Sequence, residues 1–407
     1  MPTAATVHNC TRELARSGYR AGVNLVAPAV AVPVEVAEAS RILVIDDDSD
    51  MLGLIEAHLR AAGFSTRTAS DGLEGLQRVH EYTPDVVFLD VSMAGMNGLE
   101  VLERIRAQAL DMAVVMTTAF GSEQVAVEAL RSGADDYLRK PFTGVDLQVV
   151  IERTIQRLTL RRHNAMLRLR LGKELARAAE IQAGLLPHAA PVLADFELAA
   201  RCVPARQVGG DFYDWQQAAG LLTMTVGDVM GKGMPAAILM ATVRAVLRAV
   251  GATGSSARSV QAAAATLDED LARSRAFVTL FHLQMNLATG AMTFVDAGHG
   301  LALLRRANGD VELLQSPGVP VGILPNQVYE DGAVTIEPGD VLVVYSDGLL
   351  DVCEDMFETP AKLAAQIEGI SSAPAIVQRV MDLAATDGPL PDDLTIAVLS
   401  RRPLAPA

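Results

Sequence analysis

From Arg41 onward, short and nearly continuous apolar runs alternate with amphipathic stretches. Ile42-Leu43-Val44-Ile45, Val86-Val87-Phe88-Leu89 and Ala113-Val114-Val115-Met116 show no polar alternation, the pattern of strands covered on both faces. Between and after them, helical spacing falls near 49–62, 71–81, 98–109 and 121–132. Asp71-Gly72, Asn97-Gly98 and Ser132-Gly133 punctuate the pattern as turns. Strands alternating with helices in this way predict a doubly wound, parallel α/β sheet.

A different pattern follows. Residues 143–186 read as one long helix, with Leu147, Ile151, Ile155, Leu158, Leu171, Leu175, Ala178 and Ile181 at three- and four-residue spacings. Arg161, Arg162, Arg168 and Arg170 interrupt this stripe. It fits either a solvated linker helix or a dimeric coiled coil, since an apolar stripe needs something to bury it. Pro187 ends the segment. Beyond it, short strands are expected at Leu221–Val226, Phe277–Met285, Met292–Asp296, Leu301–Leu304, Val341–Tyr345 and Leu394–Leu399. Helices are expected near 234–250, 259–273 and 374–385, and Asn308-Gly309-Asp310 is a hairpin turn. Strands mixed with grouped helices predict an α+β sandwich.

These shifts divide the 407 residues into a disordered extension (1–40), an α/β domain (41–158), a helical linker (143–186, overlapping the last helix of that domain) and an α+β domain (187–400). A formal net charge of −15 disfavours nucleic acid or an anionic membrane as the main partner. Cys10, Cys202 and Cys353 lie far apart without CxxC spacing, which points to a reducing, cytoplasmic setting and away from a zinc site. The apolar stretch from Val23 to Val36 contains Pro28, Pro33 and Glu35 and is too short to span a bilayer.

Candidate chemistry sits at the ends of the predicted parallel strands. Asp46 and Asp47 follow the first, Asp90 follows the second, and Thr118 and Lys140 lie at other strand ends. Open α/β sheets bind ligands there. Three converging carboxylates repel one another unless a cation sits among them, and all-oxygen ligation suits Mg²⁺. Asp90 can then attack a phosphoryl donor to form an aspartyl phosphate, with Lys140 and Thr118 meeting the developing charge. The ordered set Ile-Asp46-Asp47-Asp, Leu-Asp90-Val-Ser-Met, Met-Thr-Thr118-Ala and Tyr137-Leu-Arg-Lys140-Pro141-Phe resembles the response regulator receiver domain. The resemblance implies a flavodoxin-like fold, Asp90 as phosphoacceptor, Asp46 and Asp47 as the acidic pair binding Mg²⁺ with Asp90, and Thr118 and Tyr137 as switch residues beside Lys140. Ala94 stands where the family usually has proline, which is expected to loosen the loop after Asp90.

The second half concentrates aspartates beside glycines: Gly209-Gly210-Asp211-Phe-Tyr-Asp214, Gly227-Asp228-Val229-Met230-Gly231-Lys232-Gly233, Ser346-Asp347-Gly348 and Asp392-Asp393-Leu394-Thr395. Separated aspartates around one cavity suit two hard cations, which can activate a bridging water and hold a phosphate. Neither GxSxG nor a cysteine in a phosphate-cradling loop is present. Together with Glu180-Ile181-Gln182 through Leu185-Leu186-Pro187, Pro204-Ala205, Ala297-Gly298-His299 and Pro338-Gly339-Asp340, these motifs resemble the bacterial PPM-type (protein phosphatase 2C-like) serine phosphatases of sporulation and general-stress regulators. The resemblance implies a β-sandwich flanked by helices and two Mn²⁺ or Mg²⁺ ions. Asp211, Asp228, Asp347 and Asp392 would hold them with the Val229 carbonyl, Asp228 would bridge the pair, and Asp393 is an alternative to Asp392. Met230 replaces the family's small hydroxyl residue and Asp351 its usual glutamate. Lys232 can attract phosphate or be a surface lysine. His299 is expected to stabilise a turn rather than orient substrate, and Tyr213 and Trp215 to belong to the core.

The expected function is a two-component response regulator in which a sensor histidine kinase phosphorylates Asp90 and the helix at 143–186 passes the signal to a metal-dependent protein serine/threonine phosphatase. The resemblance implies a phosphorylated anti-sigma-factor antagonist as substrate. The apolar stripe predicts a homodimer through the helix. The competing expectation is an adaptor that uses the phosphatase fold only as a binding surface; retention of all four aspartates speaks against it.

Overall fold

The computed structural model describes residues 40–119, 123–352, 360–385 and 388–403, which form two compact units divided at Leu167 and Arg168. The extension expected at 1–40 lies outside them except for Ser40. In the first unit, β1 (Arg41–Ile45), β2 (Ser65–Ala69), β3 (Val86–Asp90), β4 (Ala113–Thr118) and β5 (Asp136–Arg139) form one parallel sheet in the order β2-β1-β3-β4-β5. The three apolar runs are its central strands, β1, β3 and β4, and both of their faces are covered. On one face α2 (Gly72–Tyr82), α3 (Gly98–Ala107) and α4 (Glu123–Arg131) enclose Leu43, Ile45, Val87, Leu89, Val114 and Met116. On the other, α1 (Ser49–Ala61) and the first turns of α5 (Gly144–Leu185) cover Ile42, Val44, Phe88 and Val115. The edge strand β2 was not among the predicted strands, because Ser-Thr-Arg-Thr-Ala lacks a continuous apolar run; β5 is the strand expected to end at Lys140. Helix starts follow side-chain chemistry. Asp48 and Asp71 cap α1 and α2, and Asn97 forms a capping box with Glu100 at α3.

Helix α5 is unbroken for 42 residues, as the spacing predicts, but its apolar positions are not one stripe. Leu147, Ile151 and Leu158 are buried against the parallel sheet, whereas Leu160, Met166, Leu167, Leu169, Leu171 and Ile181 are exposed. The arginines also divide. Arg161 and Arg162 are not a free basic patch, because the strand entrances of the first unit present acids to them. Arg162 pairs with Asp85 and Asp111 at 2.8 Å each, and Arg161 reaches Asp111 at 3.0 Å and Asp135 at 3.3 Å. One turn and two turns earlier, Arg157 and Arg153 face Asp136.

The second unit packs two five-stranded antiparallel sheets face to face. β6 (Phe196–Val203), β7 (Phe212–Ala218), β8 (Leu221–Val229), β9 (Val278–Asn286), β10 (Ala291–Ala297), β11 (Ala302–Arg305), β12 (Val311–Leu313), β13 (Gly332–Thr335), β14 (Val341–Tyr345) and β15 (Leu394–Arg401) supply the strands. Their orders are β13-β10-β9-β8-β7 and β12-β11-β14-β15-β6. Met224, Val226, Phe281, Leu283, Leu342, Val344, Ala397 and Leu399 fill the space between the sheets. The long helices α6 (Met234–Val250) and α7 (Ser256–Ser274) cover the outside of the first sheet through Met240, Val243, Val260 and Leu267. The short helices α8 (Gly348–Val352), α9 (Pro360–Gln366) and α10 (Ala373–Leu383) cover the outside of the second. The alternating pattern therefore gives the expected sandwich flanked by helices. Tyr213 and Trp215 stack 5.1 Å apart in its interior, as the sequence suggests. Among the described residues no helix is long and apolar enough to cross a membrane.

Candidate functional site

Each unit gathers its acids at strand ends. In the first, the sheet order sets the carboxyl ends of β1, β3 and β4 side by side, so Asp46, Asp47 and Asp90 converge with oxygens within 4.8 Å of one another. Lys140, just after β5, places Nζ 2.6 Å from both Asp46 Oδ2 and Asp90 Oδ1. Burial raises the pKa of Asp46 despite the Lys140 hydrogen bond. Burial alone would lower that of Lys140, but hydrogen bonds to Asp46 and Asp90 outweigh it and raise it. A trio of oxygen donors this close, with Lys140 meeting only part of its charge, fits a small hard divalent cation. Asp48 turns away to cap α1 through Asp50 N and Met51 N.

Two neighbours of this trio differ from the expectation. Thr117, not Thr118, has its hydroxyl on Asp90, at 3.3 Å; Thr118 is buried beside it and its carbonyl accepts from Lys140 N. Ala94 N donates to Asp47 Oδ2 at 3.0 Å. The replacement of proline thus ties the loop after Asp90 to the acidic pair instead of loosening it, because alanine has the N–H that proline lacks. Tyr137 is 44% exposed on β5.

In the second unit, Asp228 and Val229 end β8, Asp211 immediately precedes β7, Asp347 follows β14 and Asp392 precedes β15. Gly210 lets these loops meet: a Cβ there would lie 2.5 Å from the Val229 carbonyl oxygen and 3.3 Å from Asp228 Oδ1. Asp211 is 3% exposed, and its Oδ2 is buried without a hydrogen-bond partner. Burial, and then the charge of Asp228, push its pKa well up. Asp228 is pushed up to about 6 by burial and then by Asp347, and Asp347 is raised by burial and then by Asp392. Asp211, Asp228 and Asp347 are thus each raised by burial and by a neighbouring carboxylate, and the Ser346 and Thr395 hydroxyls beside Asp211 offset only part of this. That donor set fits hard cations. Among the described residues, no three of these aspartates bring oxygens within 4.8 Å of one another, a wider spread than the trio of the first unit.

The neighbouring residues sort clearly. Asp392 Oδ2 pairs with Lys232 at 2.7 Å, and Lys232 also donates to the Pro391 carbonyl. Asp393 is buried and accepts from Ala205 N at 2.8 Å and Gly210 N at 2.6 Å. Asp214 is buried against Arg244 and Arg248. His299 lies in a turn whose His299 and Gly300 amides donate to Asp296; its buried imidazole has Nδ1 3.5 Å from Thr279 Oγ1, and burial lowers its pKa to about 4. Met230 ends the β8 loop, 41% exposed. Arg206, which the sequence reading passed over, is exposed beside Gly233 with no ion pair among the described residues. Gln182, near the end of α5, donates to the Gly209 carbonyl at 2.8 Å and accepts from Gly209 N at 3.1 Å. It belonged to a quoted motif, but a neutral amide gave no sign of a role.

Comparison with known proteins agrees with both units. The response regulator receiver domain family matches residues 42–152, and the stage II sporulation protein E (SpoIIE) family matches residues 218–402, a span that holds Asp228, Asp347 and Asp392 but not Asp211. The transcriptional regulatory protein PrrA of Mycobacterium tuberculosis is 40% identical over 117 residues, 29% of this chain and 50% of PrrA, so the chain spans about half the length of that relative. Phosphoserine phosphatase RsbU of Bacillus subtilis is 29% identical over 236 residues, 56% of this chain and 70% of RsbU. The solved SiaA-PP2C domain of Pseudomonas aeruginosa is 21% identical with a TM-score of 0.49, covering 58% of this chain and 98% of that one. The first unit is therefore a response regulator receiver domain, and the second a PPM phosphatase domain of the SpoIIE family.

Proposed function

We propose that the chain is a two-component response regulator in which phosphorylation of Asp90 controls a metal-dependent protein serine/threonine phosphatase. The observation that carries this reading is the gathering of Asp211, Asp228, Asp347 and Asp392 at strand ends, where burial and a neighbouring carboxylate raise the pKa of Asp211, Asp228 and Asp347. The likeness to a protein named phosphoserine phosphatase supports it.

In the receiver, Asp90 is the phosphoacceptor, Lys140 pairs with the incoming phosphoryl charge, and Asp46 and Asp47 hold Mg²⁺ with Asp90. Thr118 and Tyr137 respond as switch residues. In the phosphatase domain, Asp211, Asp228, Asp347 and Asp392, with the Val229 carbonyl, hold two Mn²⁺ or Mg²⁺ ions. When bound, such ions supply an activated water and charge stabilisation for attack on phosphorus. Arg206, which lies beside Gly233 and makes no ion pair among the described residues, binds the phosphate oxygens with its two-pronged guanidinium, while Lys232 is occupied by Asp392. The substrate is a phosphoserine or phosphothreonine protein, by resemblance an anti-sigma-factor antagonist, and the phosphodonor is a sensor histidine kinase. The exposed apolar positions of α5 support a homodimer through that helix.

The test is hydrolysis of a phosphoserine peptide by the full chain. Turnover requires Mn²⁺ or Mg²⁺, and Asp228→Asn, which removes charge with little change of volume, abolishes most of it. An Asp228→Asn variant with wild-type turnover refutes the metal-site assignment.

A further inference from the structure

We infer that Gln182 is a positioning residue that sets the metal-binding loop from the end of α5; the inference rests on the metal-site reading above. The loop Gly209-Gly210-Asp211 is gripped from two sides. On the sandwich side, Asp393 Oδ1 accepts from Ala205 N, and its Oδ2 accepts from Gly210 N at 2.6 Å and Asp211 N at 3.4 Å. A Cβ on Gly209 would lie 2.2 Å from that same oxygen, so the approach admits only glycine. The Asp393 carbonyl accepts from the Ser346 hydroxyl, one residue before Asp347. This anchor belongs to the folded core: Asp393 is 4% exposed and its carboxylate is taken up by amides. Asp392, which points to Lys232 and to the other acids, is then the metal-facing member of the pair.

The second grip comes from the helix. The Gln182 amide makes paired hydrogen bonds to Gly209, donating to its carbonyl at 2.8 Å and accepting from its N–H at 3.1 Å. Donor and acceptor are both used, which fixes the amide's orientation and makes the contact sensitive to rotation or translation of the helix. Two residues on lies Asp211, whose buried Oδ2 makes no hydrogen bond among the described residues. A shift of α5 by a fraction of a turn therefore breaks the Gln182 pair or drags Gly209 against the fixed Asp393 anchor, and either moves a proposed ligand. Leu186, just past the helix end, packs against two of this unit's apolar cores, the one between the sheets and the one under α6 and α7, so the helix end has a seated position to leave or regain. A bistable contact of this kind is what regulation through α5 requires.

The test compares the full chain with Gln182→Met, which keeps volume and helix propensity but makes neither bond. Hydrogen exchange in metal-free protein reads the grip directly: amides of residues 205–211 exchange faster in the variant, while those of β8 and β15 do not. Calorimetric titration with Mn²⁺ reads its consequence, an affinity weakened about tenfold or more, as for groups that orient ligands without binding metal. Turnover at saturating Mn²⁺ and the KM for a phosphoserine peptide move much less than the Mn²⁺ concentration at half-maximal rate. Unchanged exchange at 205–211, or wild-type Mn²⁺ affinity in a folded variant, overturns the inference. If the wild type itself binds no Mn²⁺, the metal-site reading fails, and the exchange experiment still decides whether Gln182 holds the loop.

Discussion

Ala94 N donates to Asp47 Oδ2 at 3.0 Å, a bond the proline usual at this position cannot make. Asp47 is the exposed member of the acidic trio, so this amide competes with a cation for the same oxygen. Ala94→Pro is expected to tighten Mg²⁺ binding roughly five- to tenfold, the equivalent of one hydrogen bond, and to lower metal-free stability by about 1 kcal/mol. Mg²⁺ titration by calorimetry and thermal unfolding without metal check the two halves; weaker Mg²⁺ binding in the variant contradicts the competition.

The phosphatase acids predict a pH signature. Asp228 has its folded pKa raised from 3.8 to about 6, so the fold favours its protonated form, and that contribution fades as pH rises through this window. Metal-free Asp228→Asn should therefore be more stable than wild type near neutral pH, by up to about 3 kcal/mol, with the advantage vanishing towards pH 4. Saturating Mn²⁺ should reverse the order, because it binds the charged carboxylate. Comparing the variant with wild type cancels the opposite pull of the buried histidines His282 and His299, both lowered to about 4. Thermal melts of both proteins at several pH values, with and without Mn²⁺, make the check. An advantage that grows as pH falls would show the sign to be wrong.

Arg206→Ala should lower kcat/KM for a phosphoserine peptide about 10- to 100-fold, the loss of one charge-assisted contact to phosphate, and leave Mn²⁺ affinity near wild type. Steady-state kinetics beside a Mn²⁺ titration separates these effects. Equal loss of Mn²⁺ affinity would make Arg206 a structural support of the metal loops instead.

Much of this was legible because it depends on local pattern. Val86–Leu89 is unbroken and apolar, so β3 and the position of Asp90 followed directly. β2 did not, because an edge strand can carry Thr66 and Arg67 without a core-facing signature, and β5 was marked only by Lys140 at its end. Long-range pairing was out of reach: Arg162 meets Asp85 and Asp111 from 77 and 51 positions away, so in the sequence it only interrupts an apolar stripe. Asp393 and Asp392 are adjacent and chemically identical, and only the fold, which aims one at backbone amides and the other at Lys232, distinguishes them.

The exposed half of α5 predicts association. Leu160, Leu167 and Leu171 face solvent in a single chain, and such a stripe is stabilised by a partner helix. Replacing Leu171 and Leu175 with Glu should shift sedimentation from dimer to monomer and leave Mn²⁺ binding intact. A double variant that still sediments as a dimer would move the interface off this helix.

The claim that the receiver controls the phosphatase is tested most directly by the turnover of a phosphoserine peptide with and without beryllofluoride, a mimic of the phosphoryl group on Asp90. The full chain should change rate by at least about fivefold, a coupling of roughly 1 kcal/mol between the two sites, and Asp90→Ala should show one rate in both conditions. Equal rates in the wild type, or a response that survives in Asp90→Ala, would contradict it.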